Sequence, residues 1–364
     1  MKIKFKKDKQ PEFFKTLQKR VNNYFSTNNI SKKGNNKAYI KAGILLILYI
    51  SGIMSIYVST STFQLYTSYL LIGSLSIFVA LNIAHDAAHS TFSKSKKVNE
   101  IFLYTFDLLG ANGYLWQLKH VHSHHPHVNI PNMDGDIKQS NLVRVFPNAP
   151  FLNFHKYQFL YMPFLYLFYT LIWLLVRDFK DFFNTDISGK PDIKHHWTQY
   201  VRLFLGKTIY ISNLLILPTL LLPFSFGQVL LGFVLMNFTA SATVAMALIS
   251  AHIGEHSVYP APDKDGLMPN SYIIHQIITT TDFATKSAII THLFGGFNHH
   301  VVHHLFPNIC HIHYPELTKI VKQTCEEFDV PYNLNPTLLD AILSHFRFLK
   351  IRSEQGLAVE YIDM

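Results

Sequence analysis

The sequence contains few cysteines: only Cys310 and Cys325 occur among 364 residues. Two cysteines cannot form a disulfide framework or a cysteine-rich metal site. Any metal bound by this chain must therefore be held by nitrogen and oxygen ligands. Zinc-finger spacing and a basic stripe interleaved with aromatic residues are also missing. The excess of 32 Lys and Arg over 23 Asp and Glu is therefore not expected to bind nucleic acid.

Charged residues are nearly absent from four apolar runs of the chain. The first two runs reach the ~20 residues that a helix needs to cross a bilayer. The links inside the two pairs of runs, 60–64 and 224–228, carry no charge. This pattern predicts an all-α integral membrane protein whose four transmembrane helices form two hairpins in the lipid bilayer. The predicted spans are 39–59, 65–83, 209–223 and 229–250.

Lys and Arg lie at the N-terminus, in the long middle segment and near the C-terminus. Because basic residues are enriched in cytoplasmic loops, both termini and the middle segment are predicted to be cytoplasmic. Basic loops also suit a position beside anionic lipid headgroups. The histidine clusters lie in the same segments, which predicts a cytoplasmic helical cap that carries the active site.

Two further segments are predicted to lie at the membrane surface. The first 38 residues show no apolar core of a signal peptide. Phe13, Leu17 and Val21 follow helical spacing there, which predicts an amphipathic interfacial helix. Segment 157–176 is apolar enough to cross the membrane, but basic residues flank both of its ends. It is therefore predicted to be an interfacial or re-entrant helix.

Histidines are abundant, with 21 in the chain, and most occur in tight groups. His85 and His89 follow the second predicted span with a spacing of four residues, which places both rings on one helix face. His120 and His124 repeat this spacing in the middle segment. His125 adds a neighbouring ring that can reach a second metal ion. His122 and His127 could also bind, so this group is left with alternatives.

A third group of histidines lies near the C-terminus. His300, His303 and His304 repeat the pattern of three- and four-residue spacings. His299 points about 100° away on a helix and is expected outside the ligand set. His252, just after the fourth predicted span, is a further candidate ligand.

Other histidines are interpreted as structural or surface residues. Buried positions with satisfied polar groups are predicted for His155, His275, His292 and His345. Surface positions are predicted for His195 and His196.

Eight or nine imidazoles exceed the four to six ligands of one ion, so the sequence predicts a two-metal site. Imidazole suits zinc, copper, iron and nickel. A metal transporter is the alternative of another class, but transporters place polar residues inside their spans at mid-membrane. Here the histidines lie at the ends of nearly uncharged spans.

Four polar residues near these groups are predicted to hold the rings from behind. Asp86 is expected to accept a ring N–H, and Asn298 to hold a ring or a water. Asp134 and Asp136 have the same predicted role, although Asp-Gly-Asp is also a turn signal.

The histidine groups resemble those of the membrane fatty acid desaturase family, more narrowly its front-end and acyl-CoA branch. The family patterns H-x(3,4)-H, H-x(2,3)-H-H and [HQ]-x-x-H-H occur here in order. The Gly-Gly-Phe-Asn run before the third group and the Leu-Phe-Pro run after it match as well. The resemblance covers roughly 40–345. It divides the chain into an N-terminal segment 1–38, a desaturase membrane domain 39–345 and a C-terminal tail 346–364.

Membership would imply two iron ions held by the nine candidate histidines, with dioxygen as co-substrate. Such an enzyme introduces a cis double bond into an acyl chain carried by coenzyme A or by a membrane lipid. Two electrons would come from a separate ferredoxin or cytochrome-type protein with its reductase. The alternative within the same chemistry is a fatty acid hydroxylase or carotenoid ketolase with the same histidine groups.

The sequence departs from the front-end pattern at two points. His300 stands where many front-end enzymes carry Gln. The His-Pro-Gly-Gly motif of an N-terminal haem domain is absent from the sequence, and 38 residues are too few for such a domain. This departure is why a separate electron donor is expected.

Overall fold

The computed structural model describes residues 3–137, 140–184, 186–187, 190–191 and 193–354. Helices dominate this part of the chain, which confirms the predicted helical class. Within the predicted C-terminal tail, 355–364 lies outside the described residues. Short strands pair in parallel as β1 with β4 and β5 with β6, and antiparallel as β2 with β3. These strands are β1 Lys4–Phe5, β2 Asp186–Ile187, β3 Lys190–Pro191, β4 Leu267–Met268, β5 Asp282–Phe283 and β6 Leu334–Asn335.

The main helices are numbered in chain order. They are α1 Pro11–Thr27, α2 Asn36–Tyr57, α3 Thr62–Ala88, α4 Lys96–Leu103, α5 Thr105–Leu108, α6 Gly113–Lys119, α7 Asn153–Tyr166, α8 Tyr169–Phe182, α9 Trp197–Leu221, α10 Phe226–His252, α11 Tyr272–Ile278, α12 Ala288–Leu293, α13 His300–Leu305, α14 Tyr314–Glu327 and α15 Leu338–Ser353. A π-helical segment, His120–His124, extends α6 into a last turn, His125–His127.

Four of these helices, α2, α3, α9 and α10, are long and apolar enough to cross a membrane. Each overlaps one predicted span, and α3 and α10 contain theirs completely. Helices α2 and α9 each end two residues before the predicted end of their span, and α9 begins twelve residues earlier than predicted. Polar side chains define where the helices start. The hydroxyl of Ser61 accepts from the backbone N–H of Gln64 at the start of α3. The hydroxyl of Ser225 accepts from the backbone N–H of Gln228 at the start of α10.

Segment 157–176 does not form one straight helix. It lies in α7 and α8, which meet at an angle of 72° across a two-residue break. Together the two helices are apolar enough to count as a fifth, broken span or as a re-entrant loop. This bend agrees with the predicted interfacial or re-entrant helix, whose place relative to the membrane stays a prediction.

Helix α3 packs against both α2 and α10, and small residues let α3 and α10 approach closely. A Cβ atom on Gly73 would lie 1.9 Å from Oγ1 of Thr239, and one on Gly232 would lie 2.3 Å from the ring of Tyr69. Tyr69 is fully buried, and its hydroxyl donates to the backbone oxygen of Leu214 in α9. This crossing fixes the ends of α3 and α10 relative to each other.

The sequence predicts that the apolar face of α1 lies at the membrane surface, but in the structure this face is covered by other parts of the protein. Phe13, Leu17 and Val21 are buried against α13 and α14 in one apolar cluster. Arg20 of α1 also forms an ion pair of 2.6 Å with Glu327 of α14. The N-terminal segment therefore packs onto the part of the chain that carries the third histidine group.

Candidate metal centre

The nine predicted ligands come from the ends of four separate elements. The first two lie at and just after the end of α3, and the next three lie in the extension of α6. One is the last residue of α10, and three lie in α13. Eight are buried, and one, His89, is partly exposed. The nine are His85, His89, His120, His124, His125, His252, His300, His303 and His304.

Four of these rings form the first group: His85, His89, His120 and His303. One nitrogen from each lies within 4.8 Å of the others. The ring centroid of His85 lies 4.9 Å from the ring centroid of His89 and 4.6 Å from that of His303. Metal–imidazole bonds are about 2.0–2.1 Å long, so ligands on one ion lie at most about 4.2 Å apart. The first group thus has nearly the size of a single-ion site.

A second group of four rings joins His124, His252, His300 and His304, again with nitrogens within 4.8 Å of one another. The Nε2 atom of His252 lies 2.6 Å from Nε2 of His300 and 3.2 Å from Nε2 of His124. The Nε2 atoms of His300 and His304 are 3.1 Å apart. All four rings therefore point to one place.

The remaining ring, His125, lies between the two groups. Its centroid is 4.7 Å from that of His89 in the first group and 4.5 Å from that of His304 in the second. Its Nε2 atom is 3.2 Å from Nε2 of His120. The nine histidines thus form one continuous centre with two halves.

The middle histidines are distributed differently from what regular α-helical spacing predicts. His120 belongs to the first group, whereas His124, four residues later, belongs to the second. The cause is the π-helical segment His120–His124, whose wider turn brings His120 together with His125 instead. The four-residue spacing therefore places His85 and His89 in the same group but divides His120 and His124 between the two four-histidine groups.

Unpaired nitrogens test whether metal ions fit these groups. The Nε2 atoms of His85, His89 and His303 are buried and have no hydrogen-bond partner among the described residues. A buried polar atom without a partner costs about 1–3 kcal/mol. A metal ion in the first group would bind all three atoms. The donor set, neutral imidazole nitrogens in two converging sets, fits two transition-metal ions.

Carboxylates form hydrogen bonds with the Nδ1 atoms of two rings in the extension of α6, His120 and His124. The Nδ1 atom of His120 pairs with Oδ2 of Asp136 at 2.7 Å, and Nδ1 of His124 lies 2.9 Å from both carboxylate oxygens of Asp134. Asp134 also accepts from the backbone N–H groups of nearby residues, including Asn129, which fixes its orientation. Such bonds aim Nε2 at the metal and raise its basicity.

Uncharged hydrogen-bond partners hold the three candidate ligands of α13. His300, His303 and His304 each have Nδ1 within hydrogen-bond distance of an uncharged oxygen. These oxygens are the carbonyl of Phe297 at 3.2 Å, the hydroxyl of Tyr314 at 3.1 Å and the side-chain oxygen of Gln276 at 3.0 Å. Tyr314 and Gln276 were not predicted from the sequence, because both are uncharged residues outside any recognisable motif.

Two polar residues do not contact the candidate ligands as expected. The carboxylate of Asp86 accepts from Nδ1 of His311 at 2.7 Å and from the thiol of Cys310 at 2.9 Å, and not from a ligand ring. The side-chain nitrogen of Asn298 donates to the backbone oxygen of Ala284 at 3.2 Å and to the hydroxyl of Thr291 at 3.0 Å. Both residues support the surroundings of the centre.

Histidines outside the nine mostly have other partners or lie at the surface. His299 bonds to the hydroxyls of Thr291 and Thr318, which places it outside both groups. Contrary to expectation, His292 is exposed. The other three predicted structural histidines are buried, and His195 is half-buried rather than at the surface. His122 and His256 are exposed, and Nδ1 of His127 pairs with a backbone oxygen.

Burial keeps most of these rings neutral and ready to bind a metal. Burial and neighbouring rings lower the pKa of His89, His120, His125, His303 and His304 well below the ordinary value of 6.5. The exception is His124. Burial lowers its pKa, but the charge and hydrogen bond of Asp134, together with the charge of Asp136, outweigh burial, so that the pKa of His124 is raised.

An apolar cavity of about 280 Å³ borders the metal centre. Its walls come mainly from α3, α7, α8 and α10, and three of the candidate ligands, His120, His124 and His252, are among its lining residues. Along α10 the lining runs from Asn237 to His252, about 22 Å at 1.5 Å per residue. Trp116 also lines the cavity and stacks on His120 at 4.2 Å. The cavity therefore follows α10 for much of its length, and its lining is mostly apolar.

Comparison with known proteins shows which family the chain belongs to. The profile of the family described as Fatty acid desaturase matches residues 61–336. The chain is 33% identical over 348 residues to the sn-1 linoleoyl-lipid 6-desaturase of Synechocystis sp., with 93% of this chain and 94% of that protein covered. It is 31% identical over 342 residues to the Acyl-lipid (8-3)-desaturase of Physcomitrium patens, with 93% and 71% covered.

A third relative is the Probable Delta(5) fatty acid desaturase C of Dictyostelium discoideum. It is 33% identical over 360 residues, with 93% of this chain and 75% of that protein covered. The profile match spans more than half of the chain, and the relatives align with nearly all of it. The predicted resemblance is confirmed: this chain belongs to the fatty acid desaturase family, whose members are oxidoreductases.

Proposed function

We propose that this protein is an acyl-lipid desaturase, which introduces a cis double bond into the acyl chain of a membrane lipid. The reaction uses dioxygen and two electrons at a histidine-ligated di-iron centre. The observation that carries this proposal is a long apolar cavity whose lining includes a ring of the first four-histidine group and two rings of the second. A cavity of this shape suits an extended acyl chain and excludes water from the reacting carbons.

Iron is the metal that this function requires. His85, His89, His120 and His303 would hold one ion, and the second group would hold the other, with His125 near both. The two irons would supply the redox chemistry that reduces dioxygen and removes two hydrogens from adjacent methylenes. The chain supplies neutral ligands, because burial lowers the pKa of most of these rings.

The protein selects the bond by position, because a saturated chain has no polar handle at the reacting carbons. The apolar wall of α10 guides the chain for about 22 Å up to His252. Trp116, stacked on His120, borders the same space beside the first group. The packing of these side chains decides which carbons stop beside the metal centre.

The acyl carrier in this proposal is a membrane lipid rather than coenzyme A. Two of the three compared relatives are named for acyl-lipid or linoleoyl-lipid substrates. Two of the four helices that are long enough to cross a membrane, α3 and α10, supply much of the cavity wall. A lipid chain could therefore reach it from the bilayer.

The electron donor is a separate ferredoxin or cytochrome-type protein with its reductase, and the centre faces the cytoplasm together with both termini. One observation favours a single side for all nine rings. His89 follows α3 and His252 ends α10, so these two ends lie at one centre. Basic residues at the N-terminus and in the middle segment favour the cytoplasmic side.

Expression in a host fed defined fatty acids tests this function. Gas chromatography with mass spectrometry of the lipids is expected to find a new cis double bond with the wild type. The His124→Ala variant should make none, and the control His292→Ala, which changes an exposed ring, should act like the wild type. A hydroxylated product, or desaturation retained by His124→Ala, would refute the proposal.

A further inference from the structure

A short segment between α11 and α12, residues 281–284, connects the two sides of the second histidine group. We call it the strap. The backbone N–H of Thr281 donates to the carbonyl of Ala251, the residue before His252, at 2.9 Å. The backbone N–H of Phe283 donates to the carbonyl of Asn298, just before α13, at 3.0 Å. The strap is thus bonded both to the end of α10 and to the start of α13.

Asp282 is the residue of the strap whose side chain reaches α13. This side chain is fully buried, and its Oδ1 atom accepts a hydrogen bond from the backbone N–H of Val301 at 2.8 Å. The other carboxylate oxygen accepts from the hydroxyl of Tyr332. Backbone N–H groups in the first turn of a helix lack partners within the helix, so Asp282 caps α13 from a distant part of the sequence.

The two ligands that the strap connects face each other closely. His252 and His300 have Nε2 atoms 2.6 Å apart, although 48 residues separate them in the sequence. The strap bonds to the neighbour of each ligand, Ala251 and Val301. Displacing α13 by a fraction of an ångström would move His300 and His304 relative to His252. The first group depends less on this contact, because three of its four rings lie outside α10 and α13.

We propose that Asp282 is a positioning residue for the second half of the metal centre. Through the first turn of α13 it holds His300 and His304 in register with His252. Removing Asp282 therefore lowers metal occupancy of the second group more than that of the first. This inference rests on the proposed function, because it requires a metal ion in each group.

Iron content of the purified full-length protein in detergent tests the inference. The wild type is expected to hold two irons per chain, and Asp282→Ala to lose about half of this iron while eluting as the same monodisperse species. Asp282→Asn should restore the iron, because an amide oxygen can accept the same backbone N–H. Iron-sensitive Mössbauer spectra should show that the loss comes from one of two iron environments.

Ser225→Ala is the matched control. It removes the N-terminal cap of α10, the helix that ends in His252, but at the opposite end of that helix. A general loss of helix capping would affect both variants, whereas the proposed role affects only Asp282→Ala. The control is expected to keep two irons per chain.

Tyr332→Phe keeps the test decisive if Asp282→Ala does not fold. This variant removes one hydroxyl and leaves the carboxylate bonded to Val301. It should release iron to a chelator several-fold faster than the wild type, in a phase that accounts for half of the iron. The proposal would be overturned if Tyr332→Phe released iron at the wild-type rate, or if Asp282→Ala retained two irons per chain. A wild type without iron would instead overturn the proposed function itself.

Discussion

The histidines in the extension of α6 and those in α13 present their rings to the same centre, but their rings are held by different kinds of hydrogen-bond acceptor. His120 and His124 are backed by the carboxylates of Asp136 and Asp134. The three rings of α13 are backed by a carbonyl, a phenol hydroxyl and an amide oxygen. Both kinds of acceptor orient the ring, and a carboxylate also makes it more basic through its negative charge than an uncharged oxygen does.

Among these rings, the pKa is raised only at His124, whose partner Asp134 is buried, whereas the pKa of His120 stays lowered although the partly exposed Asp136 holds its ring. The pKa of His303 and His304 is lowered by burial and by neighbouring rings. The pKa of His124 is raised, because the buried carboxylate of Asp134 and the charge of Asp136 together outweigh burial of the ring. Burial therefore keeps most of the centre neutral, His120 included, and His124 is the one of these rings at which carboxylate charge outweighs burial.

Removing a ring should have the largest effect, whichever way the ring is backed. His303→Ala, which removes a first-group ligand that also lies beside His125, is expected to reduce desaturation by more than about 100-fold. Product analysis together with metal analysis measures this change. His292→Ala serves as the control, and desaturation above about a tenth of the wild-type level in His303→Ala would contradict the assignment.

Removing a carboxylate should have the next largest effect. Asp134→Ala is expected to weaken metal binding by about 10- to 100-fold, and Asp136→Ala by less, because its side chain is 26% exposed. Competition with a chelator of known affinity measures both changes. Equal affinities in both variants and the wild type would show that the carboxylates do not tune the rings.

Changes to the neutral acceptors should be smaller. Gln276→Leu and Tyr314→Phe each remove one hydrogen bond to a ring, worth about 0.5–1.5 kcal/mol. This corresponds to a roughly two- to tenfold loss in metal affinity. The same chelator competition measures it. A loss as large as that of Asp134→Ala would remove the proposed difference between the two groups.

The pH dependence of metal binding should be the smallest effect. Because the pKa of His124 is raised, metal-free protein carries a proton there at the acid side of neutrality, and this proton must leave when a metal binds. Affinity should rise with pH by at most about tenfold per unit until the pH passes that pKa, and then level off. Asp134→Asn should flatten this rise. Cobalt titrations of metal-free protein at several pH values provide the test, and identical slopes in both proteins would count against it.

The sequence predicted those features that depend on local patterns. Apolar runs revealed the long helices, and histidine spacing identified the nine rings that the structure brings together. Asp134 and Asp136 were recognised because they follow their histidines within sixteen residues. Here local sequence and spatial proximity coincide.

Features that depend on helix distortion or on distant parts of the chain were not predicted. The division of His120 and His124 between two groups depends on a π-helical turn, which their spacing does not indicate. Gln276 and Asp282 reach the centre only through tertiary packing. The amphipathic pattern of α1 was recognised, but a burial pattern does not identify the surface that covers it.

The most direct measurement is the location of iron in an experimental structure, by anomalous X-ray scattering at the iron absorption edge. Two peaks per chain are expected. One should lie within bonding distance of His85, His89, His120 and His303, and the other should lie among the four rings of the second group. A single peak, peaks away from these rings, or a signal from another metal at full occupancy would contradict a di-iron centre.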